Sequence, residues 1–448
     1  MATHKKTIAL TLALIALTFA PAPAAADTAD TPRFAERIAT MQAPQFPDRQ
    51  MSIVKTGAKQ GRLSTSAIQK AIDKLHKSGG GTVTVPAGRW LTGRIELKSN
   101  INLHISEGAT LEFSGNIEDY LPVVKTRNEG ADIMSLGAMI YACGQDNIAI
   151  TGKGVLLAPD TICEIYRKRD NGVTAETEQM MAESRVFDGS RGYVYMPTFI
   201  GPVDCNNILI EGVTLNRSIF WNIAPVYCKG IIIRGVTVNS HGHGRTDGID
   251  IDSSSDVLIE NTTLDCGDDC FTLKSGRGLE ATRLARSTEN VVIRNCRVRR
   301  GSGGVAIGSE TAGMIRNVYV DNVTMENPSH AIYIKTRRPR GGGCDSVWIN
   351  NITVEKSRSA AISIGMLGSS KWVGELASRL PARQVNELTP HFSNIFINNL
   401  TVGSCPLFMV ANGLPESTIE NLVIKNAKSD NKDMKTHDLG KFEISFAK

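Results

Sequence analysis

Several familiar features are missing from this chain. After its first residues, no apolar run is long enough to cross a bilayer. The nine cysteines include no CxxC or comparable ligand pair, which argues against a zinc site. No amphipathic helix separates the β-branched runs, which disfavours a parallel sheet with crossover helices. Charge of either sign is not in large excess. The formal net charge is +5, with 50 basic and 45 acidic residues, too mild to argue for a nucleic-acid partner but compatible with an anionic polymer.

The start of the chain is different in kind. His4, Lys5 and Lys6 precede an apolar run from Ile8 to Phe19, and Pro21 to Ala26 follow as a small-residue end. That order reads as a secretory signal peptide over residues 1–26, with cleavage after Ala26. Without Lys5 and Lys6 the balance becomes 48 basic against 45 acidic residues, or +3. The expected mature chain, 27–448, is exported (secreted or periplasmic) and monomeric. Export permits disulfides. Nine is an odd number, and Cys205, Cys228, Cys266 and Cys296 fall inside or beside apolar runs, so core packing is expected ahead of bridging.

The chain does contain a repeat. Nine-residue segments recur from Asn207 (NILIEGVTL), Gly230 (GIIIRGVTV), Asp256 (DVLIENTTL), Asn290 (NVVIRNCRV), Asn317, Ser346, Asn394 and Asn421, with an earlier copy at Asn147. Most starts from Asn207 onward lie 23 to 34 residues apart, and one gap is 48. Each unit holds two short β-branched runs around a polar or glycine turn. Strands and turns at such a period indicate a solenoid. The expected fold is all-β: one parallel β-helix domain of about ten coils stacked at roughly 4.8 Å. Asparagine at the repeated corner tolerates left-handed backbone and can bond to its neighbours. Ser64 to Lys77 has helical spacing, with Ile68, Ala71, Ile72 and Leu75 on one face, and is expected to cap the N-terminal end. Pro159–Met196 and Met366–His391 interrupt the rhythm as polar loops expected to rim a groove.

Three aspartates stand out. Asp247 lies in RTDGID, and Asp268 and Asp269 in CGDDC, 21 to 22 residues later. At about one coil, this spacing stacks three carboxylates on one wall. Folding alone does not call for such crowding, whereas general acid–base chemistry does. A bland reading as turn residues exists for any single Asp-Gly. Asp250 and Asp252 alternate on a strand and read as structural. His241 and His243, interleaved with glycines, read as a turn rather than a metal pair, and no metal or cofactor is expected. Trp221 is expected to pack at a coil corner.

These residues match a family. VKTGAK from Val54, AIQKAID from Ala67 and GGGTVTVPAG from Gly79 resemble the entry segment of pectin-degrading β-helix enzymes. Trp221 through Gly276 resembles the polygalacturonase family of glycoside hydrolases, whose signature elements are NTD, GDD, GHG and RIK. The resemblance implies a right-handed parallel β-helix and hydrolysis with inversion. It implies Asp268 as general acid, and Asp247 with Asp269 holding and deprotonating water. Lys335, in YIK from Tyr333, falls on the RIK lysine that grips a uronate. Three positions depart from the pattern: Arg245 replaces the NTD asparagine, Ser302 the GHG histidine and Tyr333 the RIK arginine. With Lys335, they form the expected substrate-binding set. Arg245 is placed to replace the lost cation, and Arg337, Arg338 and Arg340 extend the basic run.

The implied substrate is an anionic pectin, either polygalacturonan or, given the departures, a rhamnogalacturonan or otherwise decorated pectin. End-directed cleavage fits insertions that close one end of a groove. Two other classes compete: a β-eliminating lyase using Ca²⁺ and a Lys or Arg base, and a non-catalytic carbohydrate-binding solenoid. For an inverting enzyme, a carboxyl separation of roughly 6.5–9.5 Å is expected.

Overall fold

A computed structural model describes residues 31–170, 180 and 184–447. The expected signal peptide over 1–26 lies outside the described residues. The described chain winds into parallel coils whose strands form three long walls. One wall runs from Gln50–Ser52 through Gly81–Val85, Ile101–Ile105, Asp146–Gly152, Asn206–Glu211, Lys229–Arg234 and Ser255–Glu260, and ends at Phe442–Phe446. The pairing is in register and apolar residues lie over apolar residues, as in Ile208 over Ile231 over Val257 over Val291. The stack is somewhat longer than the expected ten coils, because the pattern weakens at both ends.

Alternation within each strand fills the interior. Ile231, Ile233, Val257, Ile259, Val291 and Ile293 are fully buried and belong to one continuous core. The coil corners carry the expected asparagines in left-handed backbone, including Asn147, Asn290, Asn317, Asn394 and Asn421. Their side chains form ladders. Asn317 Nδ2 donates to Asn290 Oδ1 at 3.1 Å, and Asn421 Nδ2 to Asn394 Oδ1 at 2.8 Å. Each rung satisfies polar groups that the turn would otherwise leave unpaired.

The helix Thr65–Lys77 caps the N-terminal end and buries Ile68, Ala71, Ile72 and Leu75, the face expected. Two further elements had no clear sequence signal. The helix Arg33–Ala39 packs Ala35 and Ile38 onto the outside of the wall, against Ala149, Leu209, Ile232, Leu258 and Val292. An antiparallel pair, Val124–Asn128 with Ala131–Ser135, projects beside the groove. All nine cysteines are free, and Cys205, Cys228, Cys266 and Cys296 are buried. Among the described residues, no helix is long and apolar enough to cross a membrane.

Candidate active site

The site stands on a second wall. Ile249–Asp252 pairs with Phe271–Lys274, which pairs with Val305–Ile307, then Ile332–Lys335, then Ala360–Gly365. Ile249, Ile251, Phe271, Leu273, Ile332 and Ile334 point inward and are buried. The opposite parity therefore faces outward, placing Asp250, Thr272, Ala306 and Tyr333 in one row across the coils. Asp247 and Asp269 lie two residues before their strands, where the coil turns. Backbone bonds hold the turns in place: Gly248 N donates to the Asp269 carbonyl at 2.8 Å, and Asn222 Nδ2 to the Asp247 carbonyl at 2.8 Å.

The three aspartates do converge. One carboxylate oxygen from each of Asp247, Asp268 and Asp269 lies within 4.8 Å of the others. The figure is for the facing oxygens, and the carboxyl groups behind them stand farther apart. The closeness comes from the stack: Asp268 and Asp269 are adjacent in sequence, and Asp247 is one coil away, so the coil rise of about 4.8 Å limits the gap. A triangle of oxygens with sides near this limit has its centre about 2.8 Å from each corner, a hydrogen-bonding distance for one water.

Each carboxylate has different neighbours. Asp269 Oδ2 accepts from Lys335 Nζ at 2.7 Å, and Oδ1 accepts from Gly303 N at 2.8 Å. Asp268 Oδ2 accepts from Arg245 N at 3.2 Å. Asp247 is 4% exposed. Burial, then the charges of Asp250 and Asp268, push its carboxyl well above the ordinary range, with Lys274 opposing. Asp268 is also raised, first by burial and then by Asp269, against the pull of Lys335. Burial pulls the Lys335 ammonium down, but Asp269 and Tyr333 together more than offset this and leave it above its usual value. Among the described residues, the same three aspartates are also the only such group close enough to share a cation. Lys335 already occupies one side of Asp269, and no metal role is assigned.

The groove around them has about 600 Å³ of space. Arg245 lines it, as expected, but its charge is already committed. Nη1 donates to Asp170 Oδ1 at 3.1 Å, and Nη2 lies 3.1 Å from Glu129 Oε1. Ser302 and Tyr333 adjoin the site residues. Ser302 N donates to the Asp268 carbonyl at 2.9 Å, and the Tyr333 ring lies 4.2 Å from Lys335 Nζ. Of the basic run, Arg337 and Arg340 line the groove. Arg338 instead ties the 366–391 insertion, through the Ser378 carbonyl at 2.8 Å, to Glu416 Oε1 of a later turn at 2.6 Å. His243 packs against Tyr166 with ring centroids 5.4 Å apart, on an exposed turn.

Several groove residues escaped the sequence reading. Lys274 is buried, with Nζ 3.1 Å from Glu310 Oε2, 3.7 Å from Asp250 Oδ1 and 4.7 Å from the centre of the Trp221 ring. Glu310 is held well below the usual carboxylate range because Lys274 and Arg340 outweigh its burial. Asp250 is completely buried, and neither carboxylate oxygen has a hydrogen-bond partner. Burial above all pushes its carboxyl well above the ordinary value, with Lys274 opposing. Asp252 is structural as expected, paired with Arg127 Nη1 at 2.8 Å. Strand parity was the available signal for Lys274, which faces outward two residues beyond Thr272. Trp221 does pack, stacked on Phe220 at 5.2 Å, while its edge reaches the groove.

Comparison with known proteins bears on the family and the fold. Residues 188–369 match the model of glycosyl hydrolases family 28. A crystal structure of a hyperthermoactive exopolygalacturonase from Thermotoga maritima is 30% identical, with a TM-score of 0.79 over 88% of this chain and 90% of that one. The chain belongs to glycosyl hydrolases family 28. A polygalacturonase from Erwinia carotovora, a similar structure at 20% identity and a TM-score of 0.65, shares the fold. Among curated relatives, a Vitis vinifera protein described as "Probable polygalacturonase" is 30% identical over 68% of this chain. An exo-poly-alpha-D-galacturonosidase of Dickeya chrysanthemi is 24% identical over 79% of it. The chain spans only 60% and 62% of the lengths of these two relatives. The family 28 match contains all three aspartates and Lys335.

Proposed function

We propose that this protein is an exported pectin-degrading hydrolase that cleaves α-galacturonosidic bonds of polygalacturonan, acting from a chain end. The observation that carries this reading is the convergence of Asp247, Asp268 and Asp269 within 4.8 Å, with the Lys335 ammonium 2.7 Å from Asp269. Asp268 is the general acid: its raised carboxyl keeps the proton that the leaving oxygen needs. Asp269, paired with the Lys335 ammonium, accepts the proton of a water that Asp247 helps to hold, and the protons belong to the coupled cluster rather than to one residue. Lys335 faces the uronate carboxylate as a point charge.

The end-directed part of the reading draws on the exopolygalacturonase relative and on the groove's N-terminal side. There Arg245 is bonded to Asp170 of the 159–196 insertion and paired with Glu129 of the antiparallel projection. Arg245 is neutralised by residues outside the aspartate cluster, whereas Lys335 is paired with Asp269 within it.

Proton NMR of the first product from polygalacturonan tests the inverting route. A first-formed β-anomer supports the water-mediated inverting route, and an α-anomer overturns it. Following product size on polygalacturonan and on rhamnogalacturonan backbone separately tests substrate and mode. Early monomer from the former is expected. A ladder of sizes would remove the end-directed reading, and unsaturated, UV-absorbing products would remove hydrolysis altogether.

A further inference from the structure

Trp372 differs from the other tryptophans. It is 55% exposed, whereas Trp90 and Trp221 are each 4% exposed, and Trp348 packs between Phe34 and Phe396 at 5.9 and 5.8 Å. It sits on the one-turn helix Ser370–Val373, none of whose residues is buried. The indole therefore contributes nothing to the core. Its position is fixed from several sides. Ser369 Oγ accepts from Lys371 N at 3.3 Å. Gly368 lies so close to Arg337 that a Cβ there would meet the Arg337 side chain at 2.8 Å. The Arg337 guanidinium and the Lys371 ammonium lie 5.8 and 4.8 Å from the indole centre. Trp372 also lines the same groove as the aspartates, on its C-terminal side with Lys335, Arg337 and Arg340.

We propose that Trp372, together with Arg337 and Lys371, is a stacking platform for an acidic pyranose, at a sugar position remote from the bond that is cut. A pyranose ring has an apolar C–H face that covers an indole, and a uronate adds a carboxylate that the flanking cations can meet. The distance suits a remote position. Trp372 follows Ala360–Gly365 and lies beside Arg337 of the coil before it, two to three coils beyond Phe271–Lys274, or roughly 10–14 Å along the axis at the usual coil spacing. The platform would grip the polymer without touching the reacting atoms. This inference rests on the galacturonan reading above for the identity of the sugar.

The test uses Asp268→Asn protein, in which turnover is slowed far below the time of a binding measurement, and galacturonate oligomers from dimer to hexamer. Binding is followed by intrinsic fluorescence and by calorimetry. Long oligomers should quench the exposed indole, and adding Trp372→Ala should weaken their binding about tenfold while removing the quench. Trp372→Phe should restore part of the affinity, which distinguishes stacking from a change in loop structure. In the active protein the loss should fall in KM for polymer. Equal affinity with and without Trp372 at every length overturns the platform, whatever the hydrolysis assays show. Quenching by galacturonate oligomers in a protein that fails to hydrolyse galacturonan would uphold the platform and overturn the hydrolase reading instead.

Discussion

The asparagine-bearing corners and the aspartate-bearing turns are made from the same coil, yet they treat polar groups in opposite ways. At the corners, each amide finds a partner one coil away, as Asn317 does on Asn290. At the catalytic turns, like charges are stacked instead, and Asp250 is buried with neither oxygen hydrogen-bonded. The corners hold the solenoid together, whereas the turns accept a cost in stability to raise the carboxyls of Asp247 and Asp268. A solenoid tolerates this because each coil relies only on its neighbours, so a destabilised patch does not unravel the stack.

Substitutions in the two regions should therefore separate activity from stability. Asp268→Asn should lower kcat by on the order of 10²–10⁴-fold, measured as reducing-sugar release, with no fall in melting temperature. The fully buried Ile259, in the core away from the groove, should behave in the opposite way. Ile259→Ala should cost about 2–5 kcal/mol in denaturant unfolding and leave kcat within a factor of two or so.

Asp250→Asn sharpens the contrast. The groups acting on Asp250 are Lys274, Asp269, Asp268 and Glu310, and it in turn acts on Asp247. Its folded carboxyl is raised, so the folded state holds the proton more tightly than the unfolded chain does. Its contribution to stability is therefore greatest at low pH and declines as pH rises above the ordinary aspartate value of about 3.9. The asparagine variant should melt higher than the parent at pH 8, with the gap closing toward pH 4, as measured by calorimetry. Each unit of displacement is worth about 1.4 kcal/mol. A lower melting temperature at pH 8 would mean that the ionised carboxylate and its 3.7 Å approach to Lys274 are net stabilising. The smallest effect is expected at a corner. Asn317→Ala removes one rung and leaves a β-carbon in left-handed backbone, for a loss of roughly 1–2 kcal/mol and unchanged kcat.

The same contrast explains what could be read from the sequence. The strands, the left-handed asparagines and the cap over Thr65–Lys77 are written in local patterns that repeat, so each copy supports the others. The aspartate cluster was legible because one coil's spacing converts directly into proximity. The partners of Arg245 were not. Asp170 lies in an insertion and Glu129 at the tip of an antiparallel pair, and neither belongs to the repeat. Without them, Arg245 looked like a spare cation for substrate, whereas it is bonded at the groove wall. Lys274 and Glu310 carry no motif of their own, and only their common outward placement on neighbouring coils brings them together. Trp372 was hidden for the same reason as Asp170: an irregular loop has no period to place it.

The stacking that aligns the three aspartates also makes the groove a ruled scale. Chemical groups on this wall can be placed only at whole steps of about 4.8 Å. Lys335 reaches back two such steps to Asp269. Duplicating a single coil between them would leave every core layer satisfied, yet carry the ammonium beyond reach of its carboxylate. Such a chain would be expected to change its preference among polymers in jumps, by gaining or losing whole rungs, rather than by gradual drift.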